Sequence, residues 1–147
     1  MKRFLFACMA WLLSLTLQAQ DRSLGLGMIL GEPTGFSAKI WTSPQMAIDA
    51  GIAWSFKETG YPRVHADFLW HRDVWEVERG RLPLYYGAGA KLLMFSELGF
   101  GIRVPVGIAY ELDQSPVDIF LELVPGLKLL PGTSLDLDLA VGARYFL

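Results

Sequence analysis

Apolar residues recur at every second position along most of this chain. From Leu135 to the end, Leu135, Leu137, Leu139, Val141, Ala143, Tyr145 and Leu147 fall on one face. Asp136, Asp138, Ala140, Gly142, Arg144 and Phe146 fall on the other. Val117–Leu130 repeats the pattern, with Val117, Ile119, Leu121, Leu123, Pro125, Leu127 and Leu129 opposed by Asp118, Glu122 and Lys128. In Phe100–Leu112 the apolar set is Phe100, Ile102, Val104, Val106, Ile108, Tyr110 and Leu112, against Arg103 and Glu111. Met46, Ile48, Ala50, Ile52, Trp54 and Phe56 oppose Asp49, Gly51, Ala53 and Ser55 in the same way. A period of two is that of a β-strand, whose successive side chains point to opposite faces. No charge interrupts the apolar face of these four segments.

Eight such segments are predicted: Leu24–Gly31, Phe36–Thr42, Met46–Phe56, Arg63–Arg72, Arg81–Phe95, Phe100–Leu112, Val117–Leu130 and Leu135–Leu147. Proline and glycine gather between them, as in Gly31-Glu32-Pro33-Thr34-Gly35 and Pro131-Gly132-Thr133-Ser134, where turns need fixed or positive φ. A soluble barrel or sandwich with this pattern would bury the apolar face and cover the other with polar residues. The second face here carries glycine, alanine and charges of both signs. That composition suits the filled interior of an eight-stranded barrel, and the apolar face then meets lipid. An antiparallel up-and-down transmembrane β-barrel of eight strands is the expected fold.

Hydropathy explains itself on this reading. Fully 52% of residues are hydrophobic and 19% charged, yet no apolar run reaches the eighteen residues of a membrane helix. Alternation spreads the apolar surface over eight strands. The remainder comes from the start of the chain, where Met1-Lys2-Arg3 precedes an uncharged run, Phe4 to Leu17, and the small residue Ala19. This is the layout of a cleaved secretory signal peptide, expected at 1–19, with the barrel domain at 20–147. Eight strands of roughly 9–11 residues need about 72–88 residues, which leaves about 40 for turns in the mature chain. Cys8, the single cysteine, lies inside the apolar run. Its loss with the leader excludes disulfides, thiolate metal sites and a cysteine nucleophile. The leader also takes two of the 13 basic residues against 15 acidic ones, and so acid a balance speaks against nucleic acid as a partner.

Aromatic residues cluster near segment ends. Trp54, Phe56, Phe68, Trp70, Phe100, Tyr110 and Tyr145 are read as a girdle at the two membrane interfaces. Leu139, Val141, Ala143, Tyr145 and Leu147 resemble the terminal strand signature of bacterial outer-membrane proteins, with Leu147 where phenylalanine is usual. The stretch from Gly25 to Lys39, which contains Gly31-Glu32-Pro33-Thr34-Gly35-Phe36, is one of several that resemble a largely uncharacterised family of small bacterial outer-membrane barrels. Ala47 to Ala50, Leu82 to Gly87, Val104 to Gly107 and Pro116 to Glu122 are the others. That resemblance implies an OmpA- or OmpX-like eight-stranded fold in the outer membrane. It also implies recognition of the last strand by the barrel insertion machinery, and it brings no catalytic residues.

Candidate chemistry lies on the inward parity. Lys39, Lys91, Arg103, Lys128 and Arg144 share it with Asp49, Asp67, Glu111, Asp118, Glu122, Asp136 and Asp138. Buried charges must be partnered, so these twelve are expected to form a lumenal ion-pair network; a narrow conduction path is the alternative. His65, Asp67 and His71 also point inward. On a strand the step from 67 to 71 spans about 13 Å, too far for one ion, so no metal and no cofactor is expected. Gly25, Gly27 and Gly31 lack the spacing of a dinucleotide fingerprint. No outward serine–histidine pair exists for a lipid-modifying enzyme. The reading is thus a non-enzymatic, monomeric barrel with both termini in the periplasm and outer-membrane lipid as its surroundings. A secreted lipocalin-like barrel with a small apolar ligand and a lipid A-modifying enzyme are the alternatives.

Overall fold

The computed structural model describes residues 23–54, 61–94, 98–130 and 132–147. The expected leader at 1–19 and its cleavage site, together with Phe56, lie outside them. Among the described residues every regular element is a strand: β1 (Leu24–Glu32), β2 (Thr34–Trp41), β3 (Met46–Trp54), β4 (Pro62–Asp73), β5 (Pro83–Met94), β6 (Leu98–Arg103), β7 (Val106–Glu111), β8 (Val117–Leu130) and β9 (Ser134–Phe146). Each of the first five pairs antiparallel with the next, β8 pairs with β9, and β9 pairs back to β1, from Gly25↔Phe146 to Glu32↔Leu139. The sheet closes on itself, which removes the unpaired edges an open sheet would expose.

The structure has nine strand segments where eight strands were expected, and the extra one comes from a single break. The predicted strand Phe100–Leu112 is divided into β6 and β7 by Val104-Pro105. Both pieces lie between β5 and β8, so the ring still has eight places. Pro105 has no N–H to give to a ladder. Its neighbours keep the sheet closed, since Val104 N donates to Pro125 O at 2.9 Å and Gly87 N donates to Pro105 O at 2.9 Å.

A second departure lies at the end of β8. Phe100 pairs with Leu130, but Gly101 pairs with Lys128, so Leu129 is skipped. This bulge ends the alternation one residue early, and Leu130 takes the outward place expected of Leu129.

Alternation is clean through the middle of β3 and β9. On β3 the inward Ala47, Asp49, Gly51 and Ala53 are buried, while Ile48, Ala50, Ile52 and Trp54 are exposed. On β9, Leu139, Val141 and Tyr145 are exposed and Asp138, Ala140 and Arg144 are buried. Tyr85, Lys39, Lys91, Phe120, Leu69 and His71 are among the largest fully buried side chains, so the interior is packed. Two glycines show how. A Cβ on Gly142 would come within 2.3 Å of the Phe120 ring, and one on Gly107 within 2.5 Å of the Tyr85 ring. The small residues of the inward face are the floor on which the large ones lie.

Candidate functional site: the charged lumen

The lumen contains most of the charge that the strands carry. Arg144, on the last strand, is its hub. Its Nε donates to Ser37 Oγ on β2 at 3.0 Å, and its Nη1 donates to Asp118 Oδ2 on β8 at 3.4 Å. Nη2 lies 3.5 Å from Asp49 Oδ2 on β3, and the guanidinium carbon sits 3.9 Å from the centre of the Phe120 ring. One side chain thus ties the strand that closes the barrel to three others.

Towards the middle, Arg103 Nε lies 2.9 Å from Asp67 Oδ1 and its Nη2 lies 3.5 Å from Glu122 Oε2. Tyr85 donates its hydroxyl to Glu122 Oε1 at 3.1 Å. At the end where β3 passes to β4, Arg63 donates to Asp138 Oδ2 at 2.6 Å, and Lys91 donates to Asp136. At the end that carries the first and last strand termini, Lys39 Nζ lies 2.8 Å from His71 Nε2. Lysine can only donate, so Nε2 is the acceptor, and His71 Nδ1 is left to donate to Gln45 O at 3.3 Å. Lys39 also lies 3.9 Å from Asp118 Oδ2 and 4.4 Å from the centre of the Trp41 ring.

The structure therefore brings ten of the twelve expected residues into lumenal pairs: Lys39, Asp49, Asp67, Lys91, Arg103, Asp118, Glu122, Asp136, Asp138 and Arg144. Glu111 belongs to the rim. It pairs with Arg81 at 3.4 Å, and Arg81 Nε also donates to Asp73 Oδ1 at 2.6 Å. Partial burial opposes the Arg81 charge, but the bonds and charges of Asp73 and Glu111 outweigh it and raise the pKa of the guanidinium. Lys128 lies half-buried beside the bulge.

Arg63 and Tyr85 were missed at the sequence level. Arg63 shares the parity of His65 and Asp67, which is a usable signal. Tyr85 has no such mark, because a buried tyrosine in a strand reads as ordinary packing.

The histidines separate as their spacing implies, His71 going to Lys39 and His65 to a different group. Asp49, His65 and Asp67 each place one possible ligand atom within 4.8 Å of the others. Asp49 and Asp67 stand opposite each other on adjacent strands, a costly placement for like charges. Arg103 and Arg144 lie against these carboxylates and supply the positive charge that a metal ion would otherwise bring.

The Gly31-Glu32-Pro33-Thr34-Gly35 stretch is a turn: Thr34 Oγ1 donates to Gly31 O at 2.8 Å and accepts from Gly31 N at 3.2 Å.

A closed ring of eight places, apolar outside and charged within, decides the architecture. The fold is that of the small OmpA- and OmpX-like barrels. Among solved structures, the N-terminal β-barrel domain of Pseudomonas aeruginosa OprF matches with a TM-score of 0.59 at 10% identity, over 83% of this chain and 95% of that one. Neisserial surface protein A (NspA) matches at 0.49 and 14%, over 84% and 93%. No protein-family model and no curated protein matches the sequence. The narrower family resemblance therefore rests on the residues quoted above.

The aromatic residues fall at the two ends of the outer wall. Trp54 and Phe100 lie near the end where β1 passes to β2. Trp70, Tyr110 and Tyr145 lie near the other, where Trp70 stacks on Tyr86 with ring centres 6.3 Å apart. Phe68, one turn of the pleat inward, meets Trp70 edge-on at 4.8 Å.

Proposed function

We propose that the protein is an integral barrel of the bacterial outer membrane, monomeric, with a structural role in the envelope and no catalytic activity. One observation carries the reading. The outer wall is apolar and bare, with Met28, Phe36, Ile52, Ile119, Leu121, Leu137 and Leu139 all about half exposed, while charged side chains fill the interior. In water such a surface would associate or aggregate; in lipid it is the stable arrangement. The aromatic residues at the two ends then sit at the two interfaces, and the packed lumen supports a closed barrel over a pore.

In this orientation the strand ends at Glu32, Trp54, Met94 and Leu130 face outward from the cell, and the next strands begin at Thr34, Pro62, Leu98 and Ser134. Each next strand begins within eight residues, and recognition segments are usually long, which favours envelope integrity over specific binding at that face. The insertion machinery would read β9. A lipocalin-like barrel requires an apolar lumen and a polar exterior, the reverse of what is observed. A lipid-modifying enzyme with a serine–histidine pair on the outer wall is disfavoured, since both His65 and His71 are buried inside.

Cell fractionation tests the proposal. The protein should be recovered in the outer membrane, need detergent for extraction, and change gel mobility on heating as a folded barrel unfolds. Recovery from the periplasm without detergent would overturn it in favour of the soluble barrel. A change in lipid A mass between deletion and parent cells would overturn the non-enzymatic part.

A further inference from the structure

A cavity of about 300 Å³ opens at the end of the barrel that carries the termini. The turn between β7 and β8 forms one side of it, and Trp41 and Phe146 supply aromatic surface. Three carboxylates, Glu111, Asp113 and Asp118, line it; among the described residues no lysine or arginine lines it, Lys39 and Arg81 lying over the Trp41 ring at 4.4 and 5.9 Å. Glu111 and Asp118 stand opposite each other on adjacent strands, a juxtaposition of like charge that costs free energy unless something positive lies near.

The cations behind the wall do not complete the match. Asp118 is 1% exposed and directs Oδ2 towards Lys39 and Arg144, while its Oδ1 has no hydrogen-bond partner. Glu111 likewise meets Arg81 through Oε2 and leaves Oε1 without a partner. Carboxylate oxygens accept only, and an unmet buried acceptor is expensive. A donor that is both charged and attached to apolar carbon fits such a wall, because aromatic faces attract cations and cover alkyl chains.

We propose that this mouth cavity is a binding site for a small organic cation, an alkylammonium or alkylguanidinium. Its charged head would lie among Glu111, Asp113 and Asp118, and its carbon chain against Trp41 and Phe146. The site concerns the lumen mouth and stands apart from the role of the outer wall.

The folded protein, isotope-labelled and held in detergent micelles, can be titrated with agmatine, butylamine and 1-butanol while amide resonances are followed. Agmatine and butylamine should shift the resonances of Trp41, residues 112–115 and Val117 saturably, and 1-butanol should bind at least about tenfold more weakly. Asp118 also holds Arg144, so its replacement risks the fold. The rim variants Glu111→Gln and Asp113→Asn leave that contact in place, and together they should weaken agmatine about tenfold. Equal shifts from 1-butanol, shifts unaltered in the double variant, or no saturable shift up to about 50 mM would each overturn the proposal.

Discussion

On β9, Asp138, Ala140, Gly142 and Arg144 point into the barrel, while Leu139, Val141, Ala143 and Tyr145, each one residue further on, point out. The two walls are built from the same strand and share every backbone hydrogen bond, yet they follow opposite rules. Inside, space is finite and charge is tolerated where it is paired. Outside, space is unlimited and charge is missing from the four segments whose alternation is cleanest. A water-soluble barrel inverts both statements. The contrast therefore reports on the surroundings of the molecule as much as on its packing, and substitutions on the two walls should fail for different reasons.

The largest effect is expected inside. Arg144→Leu strands Asp49 and Asp118 without their guanidinium, and breaking a buried pair by removing one partner costs about 3–5 kcal/mol. Urea unfolding of the micelle-held barrel would measure the loss. A change below about 1 kcal/mol would mean that the hub is not closing the barrel. Next comes Val141→Arg on the outer wall, expected to cost about 2–4 kcal/mol in a bilayer. Were that wall in water, the same change would stay within about 0.5 kcal/mol, so this variant separates the two settings.

Gly142→Val tests the finite space of the lumen. Its Cβ would meet the Phe120 ring at 2.3 Å, and overpacking of this kind costs about 1–3 kcal/mol. The smallest effect is expected at the rim. Arg81→Ala removes the pairs with Asp73 and Glu111 of an arginine whose side chain is 34% exposed, and such surface pairs contribute less than about 1 kcal/mol each. The order of these four outcomes is itself informative, since a rim effect larger than that of Arg144 would undo the distinction between lumen and surface.

Much of this was legible in the order of residues, and the reason is the period of two. Once Leu137, Leu139 and Val141 are assigned to one wall, Asp138 and Arg144 have nowhere to go but the other. Parity fixes the wall and leaves the depth open. Nothing in the sequence pairs Arg63 with Asp138 or Arg144 with Ser37, because those contacts join strands that are distant in the chain and not paired in the sheet. Nor does parity show that Glu111, directly opposite Asp118, turns to Arg81 at the rim while Asp118 turns inward to Lys39 and Arg144.

The two departures in strand geometry have local causes that periodicity does not register. Val104-Pro105 preserves the alternation while removing an N–H from the ladder, so the pattern runs on where the strand stops. At Leu127-Lys128-Leu129-Leu130 the alternation is itself ambiguous, with two leucines able to take the outward place. The bulge selects Leu130.

Spin labels on the outer wall test the central claim, that this wall faces lipid. Val141→Cys lies mid-strand on β9 and Asp113→Cys on an exposed turn, each in a chain whose Cys8 is replaced by Ser and which is reconstituted into phospholipid bilayers. The label at 141 should collide readily with dissolved oxygen and be shielded from a water-soluble nickel chelate, with the opposite preference at 113. A label at 141 that meets the nickel chelate as freely as one at 113 would contradict the account.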